Sequence, residues 1–140
     1  MLRLLARGAR PGRAIVAGQG LDAIRRSTTR TGEYHRVLTA LVEGRDPGPG
    51  PADWITRSGG DPLALRHVLG THVATDEAIL RAVTTPTLVA VGAADHGHAT
   101  ADELAGLLPH GEFARVPGDH LTAWSSPEFT AATARFLAQA

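Results

Sequence analysis

Two short segments of this 140-residue chain place reactive side chains directly after strand-like runs. Gly92-Ala-Ala-Asp95 follows the apolar run Pro86–Val91, and Pro117-Gly-Asp-His120 follows Glu112–Val116, where Phe113 and Arg115 alternate with Ala114 and Val116. Short runs of this kind, bounded by Gly or Pro, read as β-strands. In parallel α/β sheets the functional groups gather just past the carboxyl ends of strands. On neighbouring strands, Asp95 and His120 would project toward each other. A carboxylate that accepts from one imidazole nitrogen fixes the tautomer and frees the other nitrogen as a general base. Asp95 and His120 are therefore the expected catalytic pair.

Other residues compete for these roles. Asp119 adjoins His120, but adjacent side chains usually diverge, so it is the weaker acid. His96 and His98 beside Asp95 hint at a metal. An H-x-H pair needs a third ligand and second-shell support, and neither is evident, so both read as solvated loop histidines and no metal is expected. Gly18-Gln-Gly20 lacks the third glycine of G-x-G-x-x-G and reads as a tight turn. Ser58, Ser125 and Ser126 do not follow strands in glycine-flanked elbows, so none is expected to be a nucleophile. Trp54 and Trp124 read as packing residues, with Trp124 close enough to His120 to line a pocket. His35, His67, His72 and His110 read as helix-surface or loop residues. No cofactor is expected.

The surrounding pattern is that of an α/β protein. A short N-terminal helix, Met1–Ala9, carries Leu2, Leu4 and Leu5 with arginines interleaved, and stops near Gly8 and Pro11-Gly12. Ala14–Ala17, closed by Gly18, reads as a buried strand. Residues 21–82 then turn helical. Glu33–Glu43 puts Tyr34, Val37, Leu38 and Leu41 on one face, and Asp46–Pro51 is a rigid break. Asp61 is expected to cap a helix with Pro62 at its first position, and Thr75 to cap a helix over 76–82. Strand and helix alternate again from residue 83. Thr100 and Glu103 have capping-box spacing for a helix to Leu108. Ser126-Pro127 opens a last helix expected to bury Phe129, Ala132, Phe136 and Leu137. Strand–helix–strand order with short links implies parallel strands and right-handed crossovers.

Three segments bear a family resemblance. Val83–Asp95 is similar to the α/β-hydrolase stretch that ends at the triad acid. Phe113–Leu121, followed by Ser126-Pro-Glu-Phe129, resembles that family's histidine loop and last helix. Gly12–Gly18 resembles the strand before its lid. The resemblance implies a partial α/β-hydrolase fold with about three parallel strands, flanking helices and a helical lid. Residues 1–20 would hold the end of a helix and a core strand, 21–82 the lid, and 83–140 the C-terminal α/β core. Asp95 would be the triad acid and His120 the base. The family's G-x-S-x-G nucleophile turn does not occur in this sequence. The expectation is that it lies upstream in a complete protein that hydrolyses an ester or related acyl bond of a small apolar substrate. The chain alone is then expected to be inactive. The rival expectation is a non-catalytic remnant or a binding module. With nothing beside it, the strand Ala14–Ala17 would leave an open sheet edge and promote aggregation or self-association.

Composition narrows the partners. Fourteen basic residues balance fourteen acidic ones, so no charge surplus favours nucleic acid or an anionic membrane. There is no cysteine, which excludes disulfides and thiolate chemistry. No apolar run approaches the ~20 residues of a bilayer span. All the basic residues are arginine, and Lys and Asn are absent, a bias expected of a GC-rich bacterial genome. The same bias explains the arginine-rich Met1–Arg13 better than a transit peptide does. The expected compartment is the cytoplasm.

Overall fold

The three strand-like runs form one parallel sheet. The structure, a computed structural model, describes residues 1–25, 28–48, 52–57, 59–71 and 74–139. Ala14–Ala17 is β1, Thr87–Gly92 is β2 and Gly111–Val116 is β3, in the order β1-β2-β3. Ala14 pairs with Thr87, and Thr87 with Gly111, so the strands start level and their carboxyl ends share one sheet edge.

β2 is central, and every one of its residues is buried. That is why it reads as an unbroken apolar run rather than an alternating one. β3 lies at the edge and buries only Val116 fully, with Phe113 39% exposed. Among the described residues β1 pairs only with β2.

Two compact units divide the chain. Met1–Arg25 and Thr75–Ala140 make the α/β unit, and Arg26–Ala74 the other. In the α/β unit, α1 (Leu2–Ala6) buries Leu2 and Leu5, and α2 (Leu21–Ile24) buries Leu21 and Ile24. In the helical unit, α3 (Thr28–Val42), α4 (Ala52–Arg57) and α5 (Pro62–Gly70) enclose Val37, Leu38, Ala52 and Ile55. Tyr34 and Leu41 pack against that cluster, as the helical periodicity predicts, together with Leu65 and Leu69. Asp61 accepts from the amides of Leu63 and Ala64 and caps α5, with Pro62 at its first position.

Back in the α/β unit, α6 (Glu77–Arg81) is capped by Asp76, not Thr75; the Asp76 carboxylate accepts from the Ala78 amide. In α7 (Ala101–Leu107), Leu104, Ala105 and Leu107 are buried. Thr100 is its N-cap residue, yet it makes no capping hydrogen bond. Its hydroxyl accepts from the Asp22 amide instead, which ties α7 to the start of α2 and leaves the capping box unformed. α8 (Pro127–Ala138) starts as expected, with the Ser126 hydroxyl accepting from the Phe129 amide. It buries a narrower stripe than the sequence implies. Ala132 and Phe136, four positions apart, are buried, whereas Leu137 is 56% exposed. The Arg13 guanidinium lies over the Phe136 ring and donates to the Gln139 carbonyl, anchoring the end of α8 beside β1.

Candidate active site

The level strand ends bring the two loops together. Asp95 follows β2 after a two-residue turn whose amides are engaged: Ala93 donates to the Val116 carbonyl and Ala94 to that of Gly118. The loop after β3 lies so close to β2 that a Cβ on Gly92 would stand 2.4 Å from the Gly118 carbonyl oxygen. Only glycine admits this approach. The consequence is a hydrogen bond of 2.9 Å between His120 Nδ1 and Asp95 Oδ2. Asp95 is 7% exposed, while the His120 side chain is 53% exposed at the rim.

A second imidazole meets the same carboxylate. His98 Nδ1 lies 3.0 Å from Asp95 Oδ1, and the His98 and His120 rings stack with centroids 4.6 Å apart and planes 15° apart. Asp95 precedes a single 3₁₀ turn, His96–His98. Side chains three residues apart eclipse in such a turn, so Asp95 and His98 face the same way. This corrects the reading of His98 as a solvated loop residue: its side chain is only 16% exposed. His96, between them, is exposed.

An ionised carboxylate only accepts hydrogen bonds, so both Nδ1 atoms must donate. Both imidazoles therefore carry a proton on Nδ1, and in the neutral ring His120 Nε2 keeps its lone pair. That nitrogen has no hydrogen-bond partner among the described residues. Burial pushes the Asp95 carboxyl up, but the hydrogen bonds from His98 and then His120 outweigh it and hold the group below its ordinary value.

The neighbouring residues fix the remaining assignments. Among the described residues Asp119 makes no hydrogen bond to the imidazole. Its Oδ1 accepts from the Leu121 and Thr122 amides and the Thr122 hydroxyl, and it shapes the histidine loop. The Thr122 hydroxyl comes first among the contacts that lower the Asp119 carboxyl. Gly18, at φ +64°, ends β1 directly beneath His120; a Cβ there would lie 3.1 Å from the ring's Cε1. The tight turn expected at Gly18-Gln-Gly20 thus also makes room for the imidazole. The Ser125 hydroxyl donates to the Thr122 carbonyl and Ser126 caps α8, so both are structurally committed. Ser58, His72 and the Trp54 side chain lie outside the described residues.

A recess of about 190 Å³ opens beside Asp95 and His120, bounded by Ala17, Gly18, Gly92, Trp124 and Phe129. Trp124 is 66% exposed, which corrects its reading as a packing residue and makes it a wall of this recess. The floor is apolar and the polar groups are few, as in small-molecule sites. The recess volume is below the ~300 Å³ usual for a ligand pocket.

No protein-family model matches the chain, and no curated protein does. Two solved structures share its architecture. One is the enol-lactonase from Burkholderia xenovorans LB400, with TM-score 0.57 and 19% identity over 99% of this chain and 61% of that one. The other is an alpha/beta hydrolase from Sphaerobacter thermophilus DSM 20745, with TM-score 0.59 and 20% identity over 97% of this chain and 62% of that one. The chain thus spans about three fifths of either structure's length. With three parallel strands, flanking helices and polar loops at their carboxyl ends, it has the α/β-hydrolase fold.

Proposed function

We propose that this site is the acid–base half of a Ser-His-Asp hydrolase acting on esters or related acyl bonds. The observation that carries the reading is the 2.9 Å bond from His120 Nδ1 to the buried Asp95 carboxylate, at the mouth of an apolar recess. In this mechanism Asp95 holds the His120 ring and its tautomer. Nε2 takes the proton of an attacking serine hydroxyl and returns it to the leaving group. His98 braces the carboxylate through its second oxygen. The serine and the oxyanion hole come from sequence outside these 140 residues. The likeness to an enol-lactonase fits an ester-type bond, since a lactone is a cyclic ester. The apolar recess fits a small apolar acyl or alkyl group. Within the expected lid of 21–82, we assign the helices of the Arg26–Ala74 unit to that lid, and the protein to the cytoplasm of a bacterium.

The chain by itself contains no G-x-S-x-G turn, which favours a second reading of these 140 residues alone as a non-catalytic binding module. One experiment separates the two. A polypeptide extended upstream through a G-x-S-x-G turn is assayed with short-chain esters beside the 140-residue chain. The hydrolase reading predicts turnover only in the extended form, abolished by His120→Ala. Turnover that survives His120→Ala, or none in an extended protein containing that turn, refutes it.

A further inference from the structure

We propose that Asp95, His98 and His120 form a site for a divalent transition-metal ion of the zinc type. One carboxylate oxygen and one nitrogen from each imidazole lie within 4.8 Å of one another. Both rings present Nδ1 to the same buried carboxylate, at 2.9 and 3.0 Å, in parallel stacked planes. Each of these two hydrogen bonds holds a proton where a metal ion could sit. Two imidazoles and one carboxylate suit zinc, nickel or copper, whereas magnesium and calcium take oxygen shells. Three protein ligands leave a fourth position for solvent.

The fit requires one ring to turn out of the stack, because a metal ion lies in the plane of each imidazole it binds and two stacked planes do not meet at one point. Zinc–nitrogen distances of about 2.0–2.1 Å set tetrahedral donors roughly 3.3 Å apart, so donors lying within 4.8 Å of one another close by at most about 1.5 Å. His120 can supply this, because its side chain is half exposed and sits on a loop, whereas Asp95 and His98 are held in place. The H-x-H pair of the sequence is not this site: His98 contributes, His120 takes the place of His96, and the carboxylate is the third ligand.

From the neutral rings, binding moves protons without releasing them. Each imidazole enters with its proton on Nδ1 and ends with that proton on Nε2, the metal taking the Nδ1 lone pair. The site's charge rises by two. His120 Nε2 then has no lone pair to accept a serine proton, so a bound metal would switch off the acid–base function. This last consequence rests on the hydrolase reading; the binding does not.

Zinc ion is titrated calorimetrically into the full 140-residue chain in metal-free buffer, alongside His96→Ala, His98→Ala and His120→Ala. We expect one ion per chain, at least tenfold weaker binding in the His98 and His120 variants, and less than twofold change in His96→Ala. In ¹⁵N spectra the zinc-bound rings should carry Nε2–H. His120→Gln, which keeps an amide donor for Asp95 on an exposed side chain, carries the test if His98→Ala does not fold. The absence of saturable binding, binding indifferent to His120, or equal dependence on His96 overturns the proposal. Binding is read without turnover. If the 140-residue chain binds zinc but a metal-free protein extended through a G-x-S-x-G turn gives no turnover, only the hydrolase reading fails; if the extended protein turns over and the chain does not bind zinc, only this proposal fails.

Discussion

His98→Ala tests the shared carboxylate most revealingly, because its effect on stability depends on pH in a calculable direction. The substitution removes a 3.0 Å hydrogen bond to an ionised group that is 4% exposed at the side chain, and leaves Oδ1 without that partner. A hydrogen bond to a charged group contributes about 1.5–3 kcal/mol, and that is the loss expected at pH 7. The native protein holds the Asp95 carboxyl below its ordinary 3.8. Its contribution is therefore complete above that value and is lost as pH falls through the lower folded value. In the variant, burial still pushes the group up while the first of the two opposing hydrogen bonds is gone. The folded value rises, so acid costs the variant less than it costs the native chain. Urea unfolding at fixed chain concentration, at pH 7 and pH 3, should show the gap between the two proteins narrowing on acidification. Equal stability at pH 7, or a gap that stays constant between the two pH values, would refute the reasoning.

Two further predictions follow from single features. Gly18→Ala puts a side chain at φ +64°, 3.1 Å from the His120 ring; it should cost about 1–2 kcal/mol in backbone strain and displace the ring, and an unfolding midpoint equal to the native one would contradict this. Because β1 pairs on one side only among the described residues, the 140-residue chain should self-associate through that edge. Sedimentation velocity over a concentration series should show a shift to larger species, and a monomer that melts cooperatively throughout the series would count against it.

The sheet and the Asp95–His120 pair were legible in the sequence because both depend on local signals. Glycine- and proline-bounded apolar runs mark strands, and polar residues just past two such runs must lie near each other once the strands are parallel. His98 was not recognised, although its signal was present. A residue three positions after an acid in a one-turn 3₁₀ segment faces the same way as that acid, but nothing in Asp95-His-Gly-His98 announces a 3₁₀ turn in advance. The Thr100 capping box failed for a tertiary reason: the Asp22 amide, distant in sequence, takes the hydroxyl. Leu137 looked like core because it is apolar and adjoins Phe136, yet one residue along a helix turns about 100° away from the buried stripe. Trp124 read as packing, with a pocket wall as the alternative four positions after His120, and it stands at the wall of an open recess.

The most direct measurement is the position of the ring proton on His120 and His98 in metal-free solution, read from long-range ¹H–¹⁵N correlations at a pH where both imidazoles are neutral. A carboxylate shared by two donors predicts that both rings carry the proton on Nδ1, and that Asp95→Asn, whose amide replaces one acceptor oxygen, releases at least one of them. Nε2–H on His120 in the native chain, the form a freely solvated imidazole favours, would mean that Asp95 does not hold it.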